Sequence, residues 1–125
     1  MNEEIYKQNV LDHYKHPHNK GVLEPCDVKT RGVNPYCGDD LMLYLRVDDG
    51  MIREVSFDGD GCAISIAGAS MLTDKLVGMT IADADAIREE DVYALFGTKI
   101  GPARAKCALL AYGTLREALH DIHTV

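Results

Sequence analysis

The chain has 125 residues, 46% hydrophobic and 26% charged, a globular composition that suits a single domain over residues 1–125. Its formal net charge of −7 excludes a general nucleic-acid partner, because phosphate binding needs a basic face, and suits recognition by a basic patch on another protein. No apolar run approaches the roughly 20 residues of a membrane span, and Met1-Asn2-Glu3-Glu4 does not open a signal peptide, so the expected setting is cytoplasmic with no membrane partner. In that reducing compartment the four cysteines are expected to bind metal or act chemically, not to form disulfides.

In chain order, residues 3–15 read as an amphipathic helix, with Ile5, Tyr6, Val10, Leu11 and Tyr14 at helical spacing and Pro17 beyond its end. The stretch to Tyr36, punctuated by Gly21, Pro25, Gly32 and Pro35, reads as loop or irregular edge strand. Leu41, Leu43, Leu45 and Val47 alternate with Met42, Tyr44 and Arg46, a strand pattern. Asp48-Asp49-Gly50 supplies a hairpin turn into a second strand over about 51–57, and Asp58-Gly59-Asp60-Gly61 is expected to break the sheet.

A helix is expected over 63–77, with Ile64, Ala67, Leu72 and Leu76 on one face. Thr80 with Asp83 marks the start of a short helix, and a further one is expected over 90–96, closed by Gly97. Pro102 opens a last helix whose stripe runs through Cys107, Leu110, Ala111, Thr114, Ala118, Leu119 and Ile122. Helix, antiparallel strands and then helices give an α+β class, with the helices on one side of the sheet.

Chemistry concentrates at Cys37, Asp39, Cys62 and Cys107. Three thiolates and a carboxylate can close a tetrahedral site for zinc or iron, and can equally hold an iron–sulfur cluster. The cysteines stand 25 and then 45 residues apart, so no local zinc knuckle exists and only the tertiary fold can bring them together. Cys37 sits in a loop lead-in between Pro35 and Gly38. Cys62 sits at an expected helix start, where the helix dipole favours a thiolate. The harder Asp39 carboxylate is the natural ligand to leave. The full set leaves the site net negative, and Lys106 and Arg104 can offset part of that charge. Cys26 is a loop cysteine outside this set. His13, His16 and His18 cluster near the first helix end, and His120 and His123 lie near the C-terminus; for both groups a packed or solvated role is expected ahead of metal binding. Asp58-Gly59-Asp60-Gly61 lacks the later ligands of a calcium loop and the Gly-Lys-Ser/Thr of a phosphate loop.

At these motifs the chain resembles the U-type iron–sulfur assembly proteins: IscU, SufU and the N-terminal domain of NifU. The resemblance runs nearly full length. It rests on Asp12-His13-Tyr14 followed by Pro17, Asn19 and Gly21, on Asn34-Pro35-Tyr36-Cys37-Gly38-Asp39, on Gly61-Cys62-Ala63-Ile64-Ser65 through Ala69-Ser70-Met71, and on Lys106-Cys107. It implies a small antiparallel sheet of about three strands with the site at one end, and Cys37, Asp39, Cys62 and Cys107 as ligands of a transient [2Fe–2S] cluster or Zn²⁺. It also implies a cysteine desulfurase as sulfur donor and apo iron–sulfur proteins as acceptors.

Two departures bear on the role. Lys106 stands where IscU-type members carry His, and Gly101-Pro102-Ala103-Arg104-Ala105 stands where they carry a chaperone-docking motif, which argues against a specialised Hsp70 partner. The third motif is closer to the SufU type, yet the insertion usual there before the third cysteine is missing. The first expectation is therefore an assembly scaffold. The alternative is a zinc-dependent sulfurtransferase, with Cys37 taking the persulfide sulfur, and a remote third is a structural zinc protein.

Overall fold

The computed structural model describes residues 3–36, 38–97 and 100–124, with side chains for 8–36, 38–97 and 100–122. Helix α1 (Glu3–Lys15) leads into strands β1 (Val28–Asn34), β2 (Asp39–Asp48) and β3 (Met51–Asp60), followed by α2 (Ala63–Leu76), α3 (Ile81–Asp85), α4 (Glu89–Phe96), α5 (Pro102–Ala108) and α6 (Leu110–Thr124). The strands form one antiparallel sheet in the order β1-β2-β3. This is the expected α+β arrangement.

The β2–β3 hairpin turns at Asp49 (φ 53°) and Gly50 (φ 73°), both left-handed as a primed two-residue turn requires. Alternation then directs Leu41, Leu43 and Leu45 into the core. A register shift between Arg46 and Val47 changes the spacing on β3, so Ile52, Val55 and Phe57 are its inward residues. Tyr44, on the opposite face, is also buried, and burial followed by the charges of Asp58 and Glu24 raises its pKa.

Four expectations need correction. Residues 28–34 form a regular edge strand, because seven consecutive residues find register partners on β2. The Asp58-Gly59-Asp60 segment continues β3 instead of ending it. Gly59 makes that possible: it adopts φ 124°, and a Cβ there would lie 2.1 Å from the backbone oxygen of Asp40. The last helix is two helices, bent at Leu109 (φ −96°, ψ 0°), although Leu109 N–H still reaches Ala105 O at 3.0 Å. Cys107 thus sits at the end of the short α5. Finally, the apolar stripe of α1 is thinner than expected: Val10 is buried, while Leu11 and Tyr14 are each 45% exposed. Ile5 and Tyr6 lie outside the residues whose side chains are described.

Helix α2 is buried almost all round from Ile64 to Thr73, because the sheet covers one side and α1, α4, α5 and α6 cover the rest. The outer edge of β3 is closed from two directions. Asn19 O and Gly21 N bond Phe57, and Met79 O and Gly78 N bond Ile52. Thr80 caps α3 by accepting from Asp83 N, as expected, and Gly97 (φ 77°) ends α4.

Helix α6 lies so close to β1 that a Cβ on Gly32 would stand 1.8 Å from Thr114 Oγ1. Gly32→Ala should therefore lower the unfolding free energy by about 1–3 kcal/mol. Adding Thr114→Ala should recover part of that loss, as urea unfolding of the single and double variants would show.

Candidate metal centre

The site forms where the strand ends meet two helix ends. Asn34 closes β1 and pairs in register with Asp39, which opens β2, while Asp60 closes β3 opposite Asp40. Gly61 then turns the chain into α2, with Cys62 as its N-cap residue. Cys107 arrives from the end of α5.

Strand alternation separates the two neighbouring aspartates. Asp40 points outward to Arg31, which binds it through two nitrogens at 2.9 and 2.7 Å and lowers its pKa. Asp39 points inward and is 2% exposed. Its Oδ1 accepts the Cys62 backbone N–H at 2.7 Å, and its Oδ2 accepts the Ser65 hydroxyl at 2.6 Å. Both donors belong to the first turn of α2, whose dipole favours negative charge there.

The thiols converge on the same carboxylate. Cys62 Sγ lies 4.0 Å from Asp39 Oδ2 and 3.3 Å from Ser65 Oγ. Cys107 is buried, and the Asn34 side-chain amide donates to its Sγ at 3.8 Å. Ligand atoms of Asp39, Cys62 and Cys107 all lie within 4.8 Å of one another. One carboxylate and two thiols so placed match the donor chemistry of zinc or an iron–sulfur cluster. A Cβ at Gly61 would stand 3.0 Å from Asp39 Oδ1 and crowd this arrangement.

Cys37 lies outside the described residues. Lys106 does not enter the cluster: its Nζ lies 4.6 Å from the centroid of the Tyr36 ring, an exposed cation–π pair at the rim. Arg104 is exposed on α5. Cys26 is a free, half-buried thiol. His120 is exposed, and the side chain of His123 is not among those described. Ser65 and Asn34 are the residues that motif reading left without a role. Ser65 was detectable, because it stands three positions after a helix N-cap, where a side chain meets the capping group.

The profile of the NifU-like N-terminal domain matches residues 5–124. The chain belongs to this family. It is 36% identical to the zinc-dependent sulfurtransferase SufU of Bacillus subtilis, over 92% of this chain and 89% of that protein. It is 33% identical to the iron–sulfur cluster assembly scaffold protein IscU of Thermotoga maritima, over 94% of each chain. A crystal structure of a protein named as a SUF-system assembly scaffold from Fervidobacterium islandicum superposes with a TM-score of 0.73 at 29% identity, over 95% of this chain and 99% of that one.

The two sequence alignments run over 132 and 134 positions, more than this whole chain, so both relatives carry residues that it lacks. One is named as a sulfurtransferase and the other as a scaffold. Carrying inserted residues therefore does not separate the two roles.

The Ser65 hydroxyl bonds a buried carboxylate, so Ser65→Ala should lower the stability of the metal-free protein by about 1–3 kcal/mol. Equilibrium unfolding of the two proteins in chelator measures the difference. An unchanged midpoint would show that water replaces the hydroxyl at no cost.

Proposed function

We propose that this protein is an iron–sulfur cluster assembly scaffold. It receives sulfur from a cysteine desulfurase, builds a [2Fe–2S] cluster on Cys37, Asp39, Cys62 and Cys107, and passes the cluster to apo iron–sulfur proteins. The observation that carries this reading is the burial of the Asp39 carboxylate against the thiols of Cys62 and Cys107, with all three ligand atoms within 4.8 Å. Cys37 joins the set as the cysteine of Asn34-Pro35-Tyr36-Cys37-Gly38-Asp39, the stretch that resembles the family's first ligand motif. The names carried by the Thermotoga and Fervidobacterium proteins support the same role.

A second reading is kept because of the 36% identity to the Bacillus sulfurtransferase. In it the same four residues would hold Zn²⁺, and a Cys37 thiolate freed by ligand exchange with the desulfurase attacks the outer sulfur of the desulfurase persulfide. That sulfur passes to Cys37, and the desulfurase cysteine leaves as its thiolate. The residues present suit either occupant, since thiolates with one carboxylate serve both.

One reaction separates the readings. The protein is mixed with cysteine desulfurase, cysteine, ferrous iron and reductant, while visible absorbance is followed and zinc is measured in parallel. A cluster spectrum that moves on to an apo-ferredoxin supports the scaffold. Retained zinc, faster desulfurase turnover and no cluster support the sulfurtransferase. In the scaffold, Asp39→Ala should still accumulate cluster but transfer it several-fold more slowly, because the exchangeable ligand is gone. Equal transfer rates for parent and variant would remove Asp39 from that role.

A further inference from the structure

A second group of donors lies elsewhere on α2. Asp74 is three turns beyond Cys62, roughly 18 Å along the helix axis. Facing it are His13 from α1 and His18 from the following loop, and ligand atoms of the three residues lie within 4.8 Å of one another. His18 Nδ1 lies 2.5 Å from Asp74 Oδ2, and the two imidazole rings are 4.7 Å apart at 53°.

We propose that His13, His18 and Asp74 bind one divalent transition metal, at a site separate from the cysteine centre and beyond the scaffold reading. Two imidazoles and one carboxylate suit Fe²⁺, Co²⁺ or Zn²⁺ and leave coordination positions open to water; Mg²⁺ and Ca²⁺ prefer all-oxygen sets. The supporting shell is already in place. Asn19 Nδ2 donates to Asp74 Oδ1 at 3.0 Å, leaving Oδ2 to face the histidines. His13 Nδ1 lies 2.7 Å from Ser70 Oγ, which also accepts the His18 backbone N–H at 2.8 Å. With the proton on Nδ1, that contact orients the ring and leaves Nε2 as the ligand atom, the usual arrangement of a ligating histidine.

Donors on a common ion with bonds near 2.1 Å lie about 3–4 Å apart, so the trio must close slightly. His18 and Asp74 have side chains 54% and 46% exposed and are free to do so. The ion takes the place of the proton shared by His18 Nδ1 and Asp74 Oδ2, and that proton leaves to solvent.

The test loads the purified protein with one equivalent of Zn²⁺ at the cysteine centre and then titrates Co²⁺. Visible d–d absorbance counts bound cobalt, near-ultraviolet thiolate-to-cobalt bands report cobalt on cysteine, and ¹⁵N imidazole resonances report the histidines. One further equivalent is expected, with no thiolate band and with the His13 and His18 resonances displaced. His18→Arg keeps a partner for Asp74 but offers no ligand, and Asp74→Asn keeps the shape without the charge. Each should weaken the second equivalent by at least about tenfold while zinc stays bound. Absence of a second equivalent in the parent, or its retention in either variant, overturns the site. Cobalt carrying thiolate bands while the His13 and His18 resonances stay unmoved would likewise overturn it.

Discussion

The organising constraint is a single buried carboxylate. Asp39 is removed from water, and a bare charge in such a place costs several kcal/mol. It is tolerated because Cys62 N–H and the Ser65 hydroxyl supply its oxygens with donors at 2.7 and 2.6 Å. Both donors come from one helix end, so satisfying Asp39 docks the start of β2 onto the start of α2. That same docking sets Cys62 beside the carboxylate, and the register of Asn34 with Asp39 brings the Asn34 amide to the Cys107 thiol. The polar bonds that make the fold consistent are therefore the ones that assemble the site.

Helix α2 turns this local bond into a rigid frame. Its middle is buried on nearly every side, and a Cβ at Gly68 would stand 3.2 Å from the Phe96 ring and 3.3 Å from Ala108 O. Close packing of this kind resists small displacements, because interiors pack at crystal-like density. Cys62 and Asp74 therefore hold a fixed separation on one stiff element. The two donor clusters are mechanically linked and chemically distinct, since one is rich in sulfur and the other in imidazole.

Much of this was legible before the structure, and the failures have physical causes. Strand β2 and the hairpin declared themselves through alternation and through Asp49-Gly50, both local signals. The cysteines and Asp39 were legible as a chemical set, and the resemblance in their motifs gave the family. Strand β1 was not legible, because its identity comes from seven partners on β2 and not from its own sequence, in which Gly32 looks like a breaker. Gly32 and Gly59 read as interruptions, yet each sits where a neighbouring element approaches too closely for a Cβ. The all-round burial of α2 was hidden for a similar reason. The spacing marked one face through Ile64, Ala67, Leu72 and Leu76, yet Ser65, Ala69 and Ser70 are buried as fully. The bend at Leu109 has no Gly or Pro to announce it.

The hydrogen bonds of Asp39 bear on how cargo leaves such a site. A buried ligand that lets go of an ion ordinarily becomes an unpaired charge, which opposes release. Asp39 escapes this penalty, because both of its oxygens have donors within the protein itself. Cys62 differs: the hydroxyl beside its sulfur, Ser65 Oγ at 3.3 Å, already gives its one proton to Asp39. Without that proton the Cys62 sulfur depends on its ion, whereas two donors make the carboxylate independent of it. In the proposed scaffold that asymmetry selects Asp39 as the ligand to exchange first, with the thiols holding the cluster until an acceptor supplies a ligand of its own.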